Sequence, residues 1–461
     1  MTTIVEYLTE NRARIKDELK EFLRIPSISA QTGHKEDCLR AAKWLEKRFL
    51  EIGFTPKLFP LSTGHSLVYA ESPKIPDAPT LLIYGHYDVQ PVDPLDLWTE
   101  TDEKPFEPVE KEEILYGRGT SDDKGPLYTH IAAAEFWMKQ PERPELNVKF
   151  ILEGDEECGN SATEIFVRDN SAFLACDYLA LSDTVQFAAG FPSITCGLRG
   201  VLSYELTLYG PRQDVHSGIY GGILANPCNI LMEILGQMVD ENRRIQIPGF
   251  YDAVRRLSPE EELQIHSLPF DEKTVYASLG VNGGIGEKDR IPLERLTTRP
   301  TFDINGIKGG YQGEGGKTII PSEASAKFTF RVVPDQDEDE ITNALKHWIE
   351  EKIPPGIRME LTVGGGAPGM MVDLKRPCLK AASRAVEFGF GHAPVFIREG
   401  GSIPIVGTFN SVLTQNIMML GYSQKDDNAH GPNEHFSLVD FERGIKTNVK
   451  LWEELASLPR E

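Results

Sequence analysis

Apolar runs alternate with amphipathic segments over the first part of the chain. Residues 4–23 place apolar side chains at helical spacing, which predicts an amphipathic helix, and a second helix is predicted from Lys35 to Ile52. Short apolar runs at Thr80–Tyr84, Val148–Leu152 and Tyr178–Leu181 have the length of buried strands. Strands that alternate with helices favour an α/β fold, in which a doubly wound mixed sheet is covered by helices on both faces.

The pattern changes near Gly200. Val201–Tyr209 and Ala324–Val332 alternate apolar and polar residues, as half-exposed strands do, and a helix is predicted after Pro227. The stretch between that helix and Ala324 shows no clear period and is interpreted as irregular. These features predict a smaller α+β domain of ferredoxin-like type, inserted into the larger domain as a lid or dimerisation domain. The expected boundaries are 1–198 and 377–461 for the larger domain and 199–376 for the insert.

Composition and charge narrow the class of protein. The chain has 461 residues, of which 40% are hydrophobic and 26% charged, as in ordinary globular enzymes. Its 48 basic and 70 acidic residues give 48 − 70 = −22, the wrong sign for nucleic acid or an anionic membrane. The six cysteines are scattered without a CxxC pair, and the charged start does not resemble a signal peptide. We therefore expect a cytoplasmic protein with reduced thiols.

Histidines and carboxylates follow the predicted buried strands. His86 follows one of them after a single glycine, the acidic run 153–157 follows the next, and Asp183 follows a third. Two more loops carry Asp122 and His430. Ligands of α/β sheets bind beyond the carboxyl ends of the strands. Because crowded negative charge is costly unless cations neutralise it, this pattern predicts a metal site.

The side-chain types indicate which metal to expect. Mixed His, Asp and Glu ligation suits zinc, with manganese or cobalt as alternatives. Two histidines with several carboxylates exceed what one zinc ion needs, so two divalent ions that share a bridging carboxylate are the simplest interpretation. Individual assignments stay open at this point, since a histidine at a strand end is often structural and His435 competes with His430.

Five short motifs occur in a fixed order and carry a family resemblance. They are Gly85-His86-Tyr87-Asp88-Val89-Gln90-Pro91, Gly117-Arg118-Gly119 with Asp122-Asp123-Lys124-Gly125, Glu153-Gly154 with Glu156-Glu157, Ser182-Asp183, and His430 with Asn433-Glu434. Together they resemble metallopeptidase family twenty, and most of all its carnosinase-like cytosolic nonspecific dipeptidases. The resemblance extends over essentially the whole chain.

The resemblance implies a role for each residue at the metal site. The implied ligands are His86, Asp122 and Asp183 for one ion, and Asp122, Glu157 and His430 for the other. Asp122 would thus bridge the two ions. Glu156 would be the general base for the attacking water, and Asp88 would orient the ring of His86. The Asp122–Asp123 peptide bond is expected to be cis.

The resemblance also implies a substrate and a partner. His216 would reach the active site of the partner subunit in a homodimer and polarise the substrate carbonyl. Thr318, Arg331 and Ser402 match positions that bind the C-terminal carboxylate of the substrate, and the planar guanidinium of an arginine suits a carboxylate. The implied reaction is hydrolysis of dipeptides or short peptides. Two alternatives stay open, namely deacylation of N-acyl amino acids by the same site and a non-catalytic homologue.

Overall fold

The computed structural model describes residues 2–62, 64–401 and 403–458. The chain groups into two compact units. The first comprises Met1–Cys196, Val372–Ile397 and Thr408–Glu461, and the second Gly197–Met371 and Arg398–Gly407. The segment Arg398–Gly407 thus groups with the second unit, whereas the sequence placed it in the larger domain. The expected domain boundaries stay a prediction, because compactness does not establish that either unit folds independently.

The N-terminal part of the chain supplies most of the first unit. Its helices are α1 (Ile4–Leu23), α2 (Lys35–Glu51), α3 (Lys124–Lys139), α4 (Ala162–Asp169) and α5 (Ser171–Leu174). Its strands are β1 (Thr55–Phe59), β2 (Leu67–Glu71), β3 (Thr80–His86), β4 (Val109–Lys111), β5 (Ile114–Tyr116), β6 (Asn147–Glu153), β7 (Tyr178–Leu181) and β8 (Ser193–Leu198). The start of α1 is fixed by a capping box between Thr3 and Glu6.

The central part of the chain forms the second unit. It contains β9 (Gly200–Tyr209), β10 (Val215–His216), α6 (Ser217–Tyr220), α7 (Pro227–Gly236), α8 (Pro259–Ser267), α9 (Glu272–Ser278), α10 (Pro292–Thr297), β11 (Thr301–Gly309), β12 (Ile319–Ile320), β13 (Glu323–Val332), α11 (Glu338–Glu350), β14 (Arg358–Ala367) and β15 (Met370–Met371). The remaining elements are α12 (Pro377–Phe390), β16 (Val395–Glu399), α13 (Pro404–Val412), β17 (Ile417–Gly421), β18 (His435–Ser437) and α14 (Leu438–Ala456).

The large sheet confirms the expected α/β class. Its nine strands run in the order β1-β2-β6-β3-β7-β17-β8-β15, and β16 pairs with β8. The neighbours β6, β3, β7 and β17 are parallel, whereas β1, β2 and β8 are antiparallel to their partners, so the sheet is mixed. The carboxyl ends of four adjacent parallel strands therefore lie along one edge. A separate three-stranded sheet joins β18, β5 and β4.

The second unit is built on a four-stranded antiparallel sheet of order β11-β13-β9-β14. With α7 after β9 and α11 before β14, this is a βαββαβ arrangement of ferredoxin-like type. Alternate residues of β9 and β13 point into its core, as the sequence predicted.

The interpretation of residues 239–323 as irregular was wrong. That stretch contains α8, α9, α10 and the strands β11 and β12. Strand β11 escaped detection because a bulge between Ile304 and Gly306 shifts its register against β13 and breaks the period of two. Among the described residues, no helix has both the length and the apolar character that crossing a bilayer requires.

Candidate metal centre

His86 is the last residue of β3, and its side chain is fully buried. Its Nδ1 atom lies 3.2 Å from the carbonyl oxygen of Asp88 and 3.4 Å from Oδ1 of the same residue. An Nδ1–H donated to these oxygens leaves a lone pair on Nε2, the form in which an imidazole binds a metal. Asp88 is also fully buried, and its Oδ2 accepts a hydrogen bond of 3.1 Å from the backbone N–H of Glu157.

The first cluster of possible ligands is formed by His86, Asp122 and Asp183. The Nε2 atom of His86 lies 3.0 Å from Oδ1 of Asp122 and 3.9 Å from Oδ2 of Asp183. One ligand atom from each of the three side chains falls within 4.8 Å of the others. They come from the end of β3, the loop after β5 and the end of β7, so three separate segments converge here.

The second cluster is formed by Asp122, Glu157 and His430, whose ligand atoms also fall within 4.8 Å of one another. The Nε2 atom of His430 lies 2.9 Å from Oδ2 of Asp122 and 3.2 Å from Oε2 of Glu157. Asp122 therefore belongs to both clusters and directs a different oxygen towards each histidine. The Glu157 carboxylate is fixed further by Gln90, whose Nε2 donates a hydrogen bond of 2.7 Å to Oε2.

The loop that carries Asp122 leads directly into helix α3. The Asp122–Asp123 peptide bond is cis, as the resemblance implied. Helix α3 begins directly afterwards at Lys124, and its second residue is Gly125. A Cβ atom at Gly125 would lie 1.9 Å from the carbonyl oxygen of Thr120, so only glycine allows the loop to fold back this closely.

The electrostatics of the site reflect its crowded carboxylates. Burial, with smaller contributions from Asp122 and Asp123, raises the pKa of Asp183 well above its ordinary value. Burial opposes the ionisation of Asp122 too, but hydrogen bonds from His430 and His86 hold its pKa well below the usual range. The hydrogen bonds that His430 makes to Asp122 and Glu157 raise the pKa of His430 to about 10. The negative charge of the carboxylates thus stabilises positive charge at the site.

The donor set fits two divalent cations. Zinc bonds of about 2.1 Å at tetrahedral angles place ligand atoms about 3.4 Å apart. The contacts of the two histidines with their carboxylates range from 2.9 to 3.9 Å, which brackets that value. Three carboxylates and two imidazoles are ligand types that zinc, manganese and cobalt accept.

Glu156 and Glu157 lie in a short 3₁₀ helix, Glu156–Cys158, just after β6. Burial, with contributions from the carboxylates of Glu157 and Asp122, raises the pKa of Glu156 to about 7. Glu156 is thus an electrostatic neighbour of the clusters without belonging to either set of ligand atoms. A carboxylate in such a setting is suited to exchange protons near neutral pH.

His435, the rival of His430, lies outside both clusters. Its Nδ1 is 3.0 Å from the carbonyl oxygen of Asn433, and its Nε2 is 3.8 Å from Oδ1 of Asp427. The ring also contacts Tyr116 on β5, at 5.1 Å between ring centroids. These contacts give His435 a structural position at the start of β18.

Two of the other predicted site residues meet in the second unit. His216 on β10 pairs with Ile319 on β12, and the N–H of Ser217 donates a 3.1 Å hydrogen bond to the carbonyl oxygen of Thr318. His216 is exposed, and its Nδ1 accepts a hydrogen bond of 3.0 Å from the N–H of Gly218. His216 thus lies in a small two-stranded ladder, and Thr318 directly precedes the second strand of that ladder.

Arg331 lies near the end of β13, opposite Val201 of β9. A second arginine, Arg199, lies nearby. Its own burial, and to a smaller extent the positive charge of Arg331, lower the pKa of Arg199 to about 10. The guanidinium of Arg199 donates to the carbonyl oxygens of Gly400, Arg295 and Arg299. Ser402, the third predicted carboxylate-binding residue, lies outside the described residues.

Sequence reasoning anticipated Asp88 but missed two other residues that hold the ligands in place. Gln90 and Glu434 were noted only as parts of motifs, yet the side chain of Gln90 binds Glu157 and that of Glu434 binds the loop of Asp122. Their place inside the motifs was the available signal, because residues next to a metal ligand often orient it.

Comparison with known proteins places this geometry in a family. The Cys-Gly metallodipeptidase DUG1 of Saccharomyces cerevisiae is 29% identical, with 97% of this chain and 96% of the relative covered. The Beta-Ala-His dipeptidase of Rattus norvegicus is 32% identical, with 99% and 95% covered. The solved structure of the M20 family metallo-carboxypeptidase Sso-CP2 from Sulfolobus solfataricus matches with a TM-score of 0.85 and 32% identity, over 96% of this chain and 99% of that one. The sequence model of peptidase family M20/M25/M40 matches residues 82–454, and the chain belongs to this family.

Proposed function

We propose that the protein is a two-metal peptidase that hydrolyses the peptide bond of dipeptides and other very short peptides. The observation that carries this proposal is the position of Asp122, which belongs to two clusters of metal-ligand type at once. His86 and Asp183 complete one site, and Glu157 and His430 the other. Two divalent ions there, zinc by preference and manganese or cobalt as substitutes, would supply Lewis acidity and lower the pKa of a bound water.

The protein's own residues account for the proton transfers. Glu156 takes a proton from the attacking water on its carboxylate while the water oxygen forms a bond to the carbonyl carbon. It then delivers that proton to the leaving nitrogen as the C–N bond breaks, which gives an amine and a carboxylic acid. At neutral pH the acid loses its remaining proton and the amine gains one, so the released products are a carboxylate and an ammonium group. Asp88 accepts a hydrogen bond from the Nδ1–H of His86 and another from the backbone N–H of Glu157. These two contacts orient one ligand of each cluster.

We assign substrate recognition to Arg331, Thr318, Ser402 and His216. Arg331, with Thr318 and Ser402, binds the free C-terminal carboxylate, and the neighbouring Arg199 adds positive charge. In a homodimer, His216 of one subunit donates a hydrogen bond to the substrate carbonyl oxygen in the active site of the other subunit. Its exposed position on β10 is compatible with a contact made across an interface.

The names of the relatives support the proposed substrate class. Two of them are named as dipeptidases, for Cys-Gly and β-Ala-His, and a third as a carboxypeptidase. These names describe enzymes that act on peptides and none of the three names an N-acyl amino acid, which favours peptides over that alternative class. All six cysteines are described and free, which is consistent with a reducing compartment such as the cytosol.

The proposal is tested with the purified protein and a small substrate panel. We expect hydrolysis of Cys-Gly, Ala-Gly or β-Ala-His in the presence of zinc, manganese or cobalt, and loss of activity after chelation that the metal reverses. Faster turnover of N-acetyl amino acids than of any dipeptide would move the assignment to a deacylase. Metal binding without turnover of any amide would make the protein a non-catalytic homologue.

A further inference from the structure

Glu434 belongs to the same loop as His430, yet its carboxylate binds the loop that carries Asp122. The side chain is fully buried. It accepts five hydrogen bonds, to Oε1 from the N–H of Ser121 (2.9 Å), the Oγ of Ser121 (3.3 Å) and the N–H of Asp122 (3.2 Å), and to Oε2 from the N–H of Gly119 (3.0 Å) and Nη1 of Arg118 (2.6 Å). One carboxylate thus binds three backbone N–H groups of the Asp122 loop, those of Gly119, Ser121 and Asp122.

Arg118 neutralises this buried charge and reaches a third loop. Its guanidinium packs over the ring of Trp98, 5.1 Å from the ring centroid, and its side chain is almost fully buried. Its Nη2 donates a 3.0 Å hydrogen bond to the carbonyl oxygen of Pro91, in the loop that follows His86. The Glu434–Arg118 pair therefore joins the loops of His86, Asp122 and His430, which together contribute to both clusters.

Strand pairing reinforces the connection between two of these loops. Residues 117–122 leave the end of β5, and residues 430–434 run into the start of β18, which is antiparallel to β5 with His435 opposite Tyr116. The N–H of Gly117 donates a 2.8 Å hydrogen bond to the carbonyl oxygen of Glu434 and extends that ladder. Both the backbone and the side chain of Glu434 thus fix the position of Asp122 relative to His430.

A contribution to stability alone is a weak explanation for such a pair. Burying an arginine and a glutamate costs desolvation energy, which their mutual attraction often only partly offsets. Proteins that carry apolar residues of similar size in place of such a pair are often as stable. What the ion pair provides is a defined geometry, because the carboxylate orients several N–H groups at once. We propose that Glu434 is a positioning residue of the metal centre, which holds Asp122 so that its two oxygens face the two clusters.

This inference rests on the proposed function, because it takes Asp122 and His430 as metal ligands. Glu434→Gln keeps the size of the side chain but removes its charge. The amide NH₂ then faces backbone N–H donors, and Arg118 loses its anionic partner. We expect the affinity for zinc to fall by about 10- to 100-fold, as when groups that orient a ligand are removed elsewhere.

The experiment measures metal affinity directly rather than turnover. Metal-free wild-type and Glu434→Gln proteins are titrated with Zn²⁺ in competition with a chromophoric chelator, and the thermal midpoint of each metal-free protein is recorded. The matched control is Glu287→Gln. It breaks another buried Glu–Arg pair, in which Arg299 donates to Glu287 from Nε at 2.5 Å and Nη2 at 2.8 Å, far from the ligand segments in sequence. We expect Glu287→Gln to lower the thermal midpoint and leave zinc affinity within about twofold of wild type, since it disturbs no group that orients a ligand.

Each outcome decides the inference. A folded Glu434→Gln protein that binds two zinc ions with wild-type affinity would overturn it, and so would an equal loss of affinity in Glu287→Gln. If Glu434→Gln does not fold, Glu434→Asp replaces it, with the charge kept and the reach shortened; weaker zinc binding supports the inference and wild-type binding overturns it. A wild-type protein that binds fewer than two zinc ions would instead contradict the proposed function itself.

Discussion

The Nε2 atom of His430 lies 2.9 Å from Oδ2 of Asp122, although the two residues are far apart in the sequence. The other oxygen of the same carboxylate lies 3.0 Å from Nε2 of His86. Asp122 is therefore the group through which two otherwise separate sets of side chains meet. The first prediction follows from this shared position.

Replacing Asp122 should affect both metal ions, whereas replacing an unshared ligand should affect one. We expect Asp122→Ala to weaken both sites, Asp183→Ala to weaken the first only, and His430→Ala the second only. Metal analysis of the three purified variants at a fixed free zinc concentration measures the stoichiometry. An active wild-type enzyme that saturates with one ion per subunit would contradict the shared role of Asp122.

Glu156 should be needed for turnover but not for metal binding. Its carboxylate stands outside both ligand clusters, next to Glu157. We expect Glu156→Gln to bind two ions and to lower kcat by about 100- to 10,000-fold, because proton transfer is lost. The matched control is Glu157→Gln, which should lose affinity for one ion. If metal analysis showed the reverse pattern, the roles of the two glutamates would have to be exchanged.

His216 should act across a subunit interface. His216→Ala should lower kcat by about 100- to 1,000-fold, as the loss of one donor to a developing oxyanion does. Mixing this variant with Glu156→Gln should restore activity, because a mixed dimer holds one site with both residues intact. Random exchange between subunits of a two-fold dimer predicts about a quarter of wild-type activity.

Subunit exchange in that mixture is checked with two different affinity tags and native mass spectrometry. Confirmed mixed dimers without recovered activity would show that His216 does not act on the partner's site. A protein that stays monomeric while fully active would contradict both the interface and the role of His216.

Arg331 should decide whether the substrate needs a free carboxylate. A substrate without that carboxylate cannot form the bidentate ion pair proposed for Arg331 and loses both affinity and orientation. We therefore expect wild-type enzyme to cleave a dipeptide much faster than its C-terminal amide, measured as kcat/KM. Arg331→Ala should lower the ratio of kcat/KM for the dipeptide to kcat/KM for its amide, because it slows hydrolysis of the free acid.

A matched control for Arg331 is Arg358→Ala on the edge strand β14. Arg358 packs on Tyr209, 3.9 Å from the ring centroid, and its side chain is 65% exposed, so its loss should leave the acid-to-amide ratio unchanged. Equal cleavage of acid and amide by the wild-type enzyme would refute carboxylate recognition by Arg331.

Secondary structure was predicted well where a single period persists. Strands β3, β6 and β7 are mostly apolar, and β9 and β13 alternate over ten residues each, so the local pattern of burial reveals them. Strand β11 was missed because its bulge is defined only by pairing with β13. The period in a sequence records burial on one face, and a bulge changes that face partway along a strand.

The sequence by itself determined which chemical groups end the strands, and the family resemblance assigned them to two metal ions. Only the tertiary structure decided which loops meet. It brought Asp122 between His86 and His430, gave Asp88 contacts to both His86 and Glu157, and placed the buried Glu434 carboxylate against the N–H groups of the Asp122 loop. These contacts join residues far apart along the chain. Their geometry depends on strand order and on the packing of buried charges, which no local pattern of residues encodes.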